Sequence, residues 1–147
     1  MKQLYIVTGA NGHLGNTIVK KLVDMQKSVR CLVLPNDKLN SLQNVNCKIV
    51  YGDITCKTSL QQLFDDVDDT EITVIHCAAI VSISSKHNKK VYEVNVNGTK
   101  NIVDISFEKQ VKKFVHVSSV HAIPEGKRGS LIKEVTKFNK DEVVIIR

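Results

Sequence analysis

The 147-residue sequence lacks several features that mark whole classes of protein. It has neither an apolar run long enough to cross a membrane nor a low-complexity tract. Met1 is followed almost directly by a strand-like segment at residues 4–7, without the apolar stretch of a signal peptide. We therefore expect a cytoplasmic globular protein that does not bind membranes.

Cysteine spacing and charge distribution argue against two further classes. Cys31, Cys47, Cys56 and Cys77 stand singly, without the close pairs that a zinc site needs, so we expect reduced structural thiols and no metal. The net charge of +6 comes almost entirely from lysines scattered along the chain. Because they form no arginine-rich or aromatic-interleaved stripe, they indicate a solvated surface, and we expect no nucleic-acid partner.

Apolar segments rich in β-branched residues recur along the chain, as in parallel strands that are covered on both faces. The predicted strands are residues 4–7, 29–34, 47–51, 72–77, 114–117 and 143–146. Residues 124–139 are charged and weakly periodic, and we expect a loop there with one short helix near 131–138.

Helical periodicity separates several of these strands. One apolar stripe with helical spacing follows the first strand, and a second precedes the fifth. Their members are Leu14, Ile18, Leu22 and Met25, then Val91, Val94, Gly98, Ile102 and Ile105. The alternation predicts one α/β domain over residues 1–147, a doubly wound parallel sheet of the Rossmann type in three αβα layers.

Three spaced glycines lie between the first predicted strand and the first predicted helix. Gly9 permits a tight turn, Gly12 lets the backbone approach a pyrophosphate, and Gly15 lets the helix pack closely on the sheet. The backbone amides of His13 and Leu14 would face phosphate oxygens at the positive end of the helix. The loop therefore predicts a site for NAD or NADP, with the His13 imidazole as a bystander.

The glycine spacing, together with four further motifs, resembles the extended short-chain dehydrogenases/reductases. The motifs are Gly-Asp-Ile at 52–54, Val-Ile-His-Cys-Ala-Ala at 74–79, Val-Asn-Val-Asn-Gly-Thr at 94–99 and Val-His-Val-Ser-Ser at 115–119. Their order and spacing are similar to the epimerase/dehydratase and dihydroflavonol-reductase-like branch. The resemblance covers about the first 123 residues.

The resemblance implies cofactor contacts after the third and fourth strands. The Asp53 side chain would accept a hydrogen bond from the exocyclic amine of adenine, and Ile54 would pack on the adenine ring. The small residues Cys77, Ala78 and Ala79 would let the backbone approach the cofactor near its pyrophosphate and nicotinamide ribose.

The same resemblance implies an incomplete active site. Asn95 would lie near the reacting groups, and Ser119 falls at the catalytic Ser/Thr position of the family. The chemistry also needs a Tyr and, four residues later, a Lys that lowers the pKa of that Tyr. None of the tyrosines at positions 5, 51 and 92 has such a Lys. We therefore expect this chain alone to be inactive.

The identity of the dinucleotide is less constrained by the sequence. NAD sites usually carry an acidic residue at the end of the second strand, whereas this strand ends in Val33 and Leu34. Arg30 and Lys38 are nearby cations that could meet the 2′-phosphate of NADP, which favours NADP weakly. Arg30 could equally be an exposed strand residue.

Three hypotheses follow. The leading one is the truncated cofactor-binding part of an NAD(P)-dependent oxidoreductase or epimerase whose parent acts on a small-molecule secondary alcohol or carbonyl. The second is a non-catalytic NAD(P) sensor that passes a signal to a protein partner, and the third is a structural remnant that associates through exposed apolar faces. The oligomeric state, including a homodimer, stays open.

Overall fold

A five-stranded parallel sheet forms the centre of the computed structural model, which describes residues 2–39, 41–82, 88–123, 129–131 and 133–134. Its strands are β1 (Lys2–Thr8), β2 (Ser28–Val33), β3 (Lys48–Tyr51), β4 (Thr70–His76) and β5 (Lys113–His116). They lie in the order β3-β2-β1-β4-β5, and every pairing is parallel. The doubly wound Rossmann-type sheet expected from the sequence is confirmed.

Helices cover both faces of this sheet. Helix α1 (His13–Asp24) follows β1, and a 3₁₀ helix (Lys57–Phe64) connects β3 to β4. Between β4 and β5, the short helix α2 (Lys89–Tyr92) continues through a π-helical segment (Glu93–Gly98) into α3 (Thr99–Glu108). A second 3₁₀ turn (Val120–Ala122) follows β5.

The core divides into two layers because successive strand residues point to opposite faces of the sheet. On one face, Val19 of α1 joins a buried cluster with Val29 and Cys31 of β2. On the other face, Leu60 of the 3₁₀ helix and Ile102 of α3 pack around strand residues such as Ile6. These two clusters are the contacts between the three αβα layers.

Most predicted elements agree with these bounds. Strand limits differ by no more than two residues, and buried Val91, Gly98, Ile102 and Ile105 confirm the second helical stripe. Met25, predicted on the first stripe, follows the end of α1 and is exposed. The strand predicted at 143–146 lies outside the described residues, as does most of the helix predicted near 131–138.

A buried histidine connects the centre of the sheet to α3. His76, the last residue of β4, is only 1% exposed. Its Nδ1 lies 2.6 Å from Thr8 Oγ1 at the end of β1, and its Nε2 lies 3.0 Å from Thr99 Oγ1 at the start of α3. The imidazole of His116 on β5 stacks on that of His76 at a centroid distance of 5.4 Å.

This environment makes stability depend on pH. Burial, reinforced by the neighbouring His116, lowers the pKa of His76 from 6.5 to about 4. Between these two pH values the unfolded chain takes up a proton that the folded chain does not, so stability present above pH 6.5 decreases as the pH falls towards 4. The loss amounts to at most about 3 kcal/mol.

We expect the loss of folding stability between pH 6.5 and 4 to disappear when the His76 imidazole is removed. Urea unfolding at several pH values should show that the stability difference between the wild type and His76→Gln narrows as the pH falls below 6.5. His116→Gln serves as the control for loss of the stacked ring. An identical pH dependence in the wild type and His76→Gln would contradict the prediction.

Candidate functional site

A cavity of about 460 Å³ lies at the carboxyl edge of the sheet. Its walls come from the ends of β1 to β4, the segment after β4, and the α2–π helix. This edge includes the boundary between β1 and β4, where the connections diverge to opposite sides of the sheet. Ligands of open α/β sheets bind at such a switch point.

The glycine loop forms the side of the cavity next to α1. Gly9 has a φ of +64°, and a Cβ there would lie 2.8 Å from the backbone nitrogen of Ala78. A Cβ on Gly15 would lie 2.1 Å from the carbonyl oxygen of Gly9, so α1 could not pack in its present position. Gly12 lines the cavity and precedes α1 without a side-chain cap. The loop therefore brings an open helix N-terminus to the cavity.

His13 and Leu14 occupy the first turn of α1. Their side chains are exposed and do not line the cavity. Because the first backbone amides of an α-helix have no partner within the helix, these two residues can contribute N–H donors instead. The His13 imidazole lies outside the cavity, and the contact of the two backbone amides with phosphate stays a prediction.

A second loop, after β2, is tied to the glycine loop. The Asn11 side-chain amide donates to the carbonyl of Lys38 at 3.0 Å, and the Ser41 hydroxyl donates to Asn11 Oδ1. Asn16 of α1 donates to the carbonyl of Ser41 at 2.8 Å. The sequence analysis missed this connection, because hydrogen bonds between distant loops leave no local pattern.

The residues after β3 form the opposite wall. Asp53 and Ile54 both line the cavity, and Ile54 is buried. Asp53 Oδ1 accepts hydrogen bonds of 2.8 Å from both the amide and the hydroxyl of Thr55, which fixes the carboxylate. Gly98 of the π-helical segment packs on Ile54, since a Cβ at Gly98 would lie 2.7 Å from that side chain. The adenine contacts assigned to Asp53 and Ile54 stay a prediction.

Cys77, Ala78 and Ala79 also line the cavity, at the end of β4. Burial raises the pKa of the Cys77 thiol, so the group facing the cavity is the neutral thiol at neutral pH. Residues 77 and 78 lie next to the glycine loop, and the approach of residues 77–79 to the cofactor stays a prediction.

Asn95 supports this wall rather than lining it. Its Oδ1 accepts from the amide of Ile80 at 2.8 Å, and its Nδ2 donates to the carbonyl of Ile80 at 2.9 Å. Ile80 itself lines the cavity, whereas Asn95 does not. In this arrangement Asn95 fixes the backbone of the wall, and its place near the reacting groups stays a prediction.

Arg30 lies away from the cavity, contrary to its predicted role. It is 7% exposed, and its Nη1 donates to the carbonyls of Leu63, at 2.9 Å, and Asp65, at the end of the 3₁₀ helix. It lines a separate cavity at the amino edge of the sheet with Lys2 and Lys27. The interior of the fold therefore uses Arg30 to satisfy helix carbonyls, and the structure does not support its contact with a 2′-phosphate.

The remaining predicted residues lie outside the cavity lining. Lys38 is exposed, and its contact with the glycine loop is made through its backbone carbonyl. Ser119 follows β5 at the carboxyl edge, in an exposed turn where its carbonyl accepts from the amide of Ala122 at 2.9 Å. The structure does not bring Ser119 to the cavity described here.

The cavity is also lined by two charged residues that were not identified from the sequence. Asp37 lies in the loop after β2, three residues beyond Leu34, and Lys90 lies in α2. A search of the loop beyond the end of the predicted strand would have found Asp37. No local signal distinguishes Lys90 from its exposed neighbour Lys89.

Within residues 2–39, 41–82, 88–123, 129–131 and 133–134, no cluster of three or more His, Cys, Asp or Glu side chains could hold a metal ion. Across the same ranges, no helix has the length and apolar character needed to cross a membrane. The four cysteines are free thiols.

The sequence is similar to one described family and to several characterised proteins. Residues 6–142 match the 3-beta hydroxysteroid dehydrogenase/isomerase family. Sterol demethylase protein B of Methylococcus capsulatus is 30% identical over 82% of this chain and 37% of its own length. The inverting UDP-N-acetylglucosamine 4,6-dehydratase of Campylobacter jejuni is 30% identical over 78% of this chain and 35% of its own length.

Comparison with solved structures finds relatives of the same kind. UDP-glucose 4-epimerase of Thermus thermophilus, solved as a complex with NAD, matches with a TM-score of 0.75 and 25% identity over 89% of this chain and 42% of its own. The chain thus spans only about two fifths of the length of these relatives. Because the family model matches residues 6–142, the chain belongs to the 3-beta hydroxysteroid dehydrogenase/isomerase family, within the extended short-chain dehydrogenases/reductases.

Proposed function

We propose that this chain is a single domain that binds NAD in the cavity at the carboxyl edge of its sheet. The observation that carries the proposal is the glycine loop, which presents the open N-terminus of α1 to a cavity bounded by Ala78 and Asp53. Backbone amides at a helix N-terminus bind phosphate groups. The likeness to an epimerase solved with NAD supports the same assignment.

The charges around the cavity favour NAD over NADP. Asp37, Asp53 and Lys90 are the charged residues among the described cavity lining. Asp37 follows the second strand, in the region where an acidic residue binds the ribose 2′-hydroxyl of NAD, and its charge would oppose a 2′-phosphate. The weak preference for NADP in the sequence analysis depended on Arg30 and Lys38, neither of which lines the cavity.

We propose further that the domain belongs to a longer oxidoreductase or epimerase acting on a small-molecule secondary alcohol or carbonyl. NAD, when bound, accepts or returns a hydride at its nicotinamide ring. Ser119 would donate a hydrogen bond to the substrate oxygen. The Tyr and Lys that complete this chemistry in the family are absent from the sequence as a pair, so this chain alone would bind the cofactor without turnover.

The missing Tyr-Lys pair also favours a second candidate, a non-catalytic dinucleotide sensor. Sequencing the gene and transcript beyond Arg147 separates the two. A downstream Tyr-x-x-x-Lys segment in the same reading frame would support the enzyme. A stop codon combined with intact NAD binding would support the sensor.

The cofactor site is tested by titrating the chain with NADH and NADPH and recording the nicotinamide fluorescence. Saturable binding of NADH, tighter than that of NADPH, is the expected result. No saturable change for either nucleotide up to millimolar concentration would overturn the proposal.

Gly12→Ala should separate binding from folding. A Cβ at Gly12 would meet only the Gly9 carbonyl oxygen, at 3.2 Å, so the fold should adjust with a small loss of thermal stability. The same methyl group stands where the pyrophosphate must approach the backbone, and we expect NADH affinity to fall by about tenfold or more.

Gly15→Ala is the contrasting variant, because its Cβ meets backbone at 2.1 Å. Thermal unfolding monitored by circular dichroism should show a much larger loss of stability for Gly15→Ala than for Gly12→Ala. Unchanged NADH affinity in Gly12→Ala would contradict the placement of the pyrophosphate.

Asp37→Asn tests the preference for NAD. Removal of the negative charge should lower the ratio of the NADPH to the NADH dissociation constant by about tenfold, because the repulsion of a 2′-phosphate is lost. Asp68→Asn, a change of an exposed aspartate just before β4 and outside the cavity lining, is the matched control and should leave the ratio unchanged. An unchanged ratio in Asp37→Asn would show that another group selects the cofactor.

A further inference from the structure

The buried side chain of His76 lies behind the wall of the proposed cofactor site and does not line the cavity. Its two ring nitrogens bridge the hydroxyl groups of Thr8 and Thr99, at 2.6 Å and 3.0 Å. Thr8 immediately precedes Gly9 and has no exposed surface. The imidazole at the end of β4 thus connects to the end of β1 and to the start of α3 through hydrogen bonds.

The donors and acceptors around His76 are assigned by counting the protons that need an acceptor. The amide of Ala78 donates to Thr8 Oγ1 at 3.2 Å. Among the described contacts, His76 Nδ1 is the acceptor within reach of the hydroxyl proton of the fully buried Thr8, and we therefore assign the ring proton to Nε2, which faces Thr99 Oγ1. In this tautomer each of these donors has an acceptor, which buried polar groups require.

These hydrogen bonds lead to the backbone of residues 77–78, which forms one wall of the cavity. Besides the bond from Ala78 to the Thr8 hydroxyl, the amide of Cys77 donates to the Thr8 carbonyl at 3.3 Å. Both amides belong to residues that line the cavity. The same backbone leaves no space for a Cβ at Gly9, so the positions of the glycine loop and of residues 77–78 depend on each other.

We propose that His76 is a positioning residue for dinucleotide binding, whose neutral Nε2–H imidazole fixes the Thr8 hydroxyl so that it holds Ala78 against the glycine loop. This inference depends on the NAD site proposed above. It assigns a function in cofactor affinity to a residue that does not touch the cofactor cavity.

Two substitutions distinguish the hydrogen bond made by Nδ1 of His76 from the one made by Nε2. The side-chain amide of His76→Asn can place an acceptor near the position of Nδ1, whereas that of His76→Gln reaches the position of Nε2 and leaves the Thr8 hydroxyl proton without its acceptor. Both variants remove the ring, so a role limited to filling the core would weaken them alike.

The expected result is an asymmetry between the two variants. NADH affinity, measured by fluorescence titration, should fall by about three- to tenfold in His76→Gln. His76→Asn should recover most of that loss. His116→Gln, which removes the stacked but exposed ring, is the control and should bind as the wild type does.

Hydrogen exchange of the Ala78 amide provides a second measurement that does not need the cofactor. Exchange should be faster in His76→Gln than in His76→Asn, relative to core amides of β1 and β4 in the same samples. Two-dimensional ¹H–¹⁵N spectra of the imidazole should show the proton on Nε2 in the wild type.

Equal losses of affinity and equal Ala78 exchange in the two His76 variants would overturn the proposal, as would a proton found on Nδ1. If the wild-type chain binds no NADH, the proposed cofactor site is wrong. In that case the exchange and imidazole spectra still decide whether His76 positions Ala78.

Discussion

Two backbone segments approach each other at the centre of the carboxyl edge, where the turn at Gly9 packs against Ala78 with no room for a Cβ between them. This contact requires a glycine with positive φ on one side and a precisely placed strand end on the other. The close packing of α1 through Gly15 and the cavity beside the loop both depend on it. Because van der Waals repulsion rises steeply with approach, small shifts of either segment change the cavity directly.

Buried and half-buried polar side chains connect separate elements of this fold. Arg30 crosses from β2 to the carbonyls at the end of the 3₁₀ helix, and Asn95 joins the π-helical segment to Ile80. A buried polar group is costly unless its hydrogen bonds are made, so these side chains hold their elements in one arrangement. The helix that carries Asn95 is locally wound as a π-helix, a form that recurs at functional sites.

Sequence periodicity was sufficient for the fold, because apolar strands and helical stripes depend on local spacing that survives in the linear chain. The glycine loop and residues 77–79 could be singled out because close backbone approach restricts residue type there, and residues 53–54 came from the family resemblance. Gly9, Gly12 and residues 53–54 and 77–79 line one cavity, and their contacts with the cofactor stay a prediction. Arg30 was interpreted wrongly from the sequence, and Asp37 and the hydrogen bonds between Asn95 and Ile80 were missed. Their roles depend on where a side chain of several bonds ends, and partners distant in the sequence decide that.

The tie between Asn11 and the loop after β2 bears on any attempt to redesign this protein. Loop grafting treats the ribose-recognition loop as an exchangeable module, to be transplanted from a homologue with another cofactor. Here Ser41 and the Lys38 carbonyl in the loop after β2 also hold Asn11 of the glycine loop and Asn16 of α1. A graft that omits them would disturb the glycine loop as well, so the two loops need to be exchanged together.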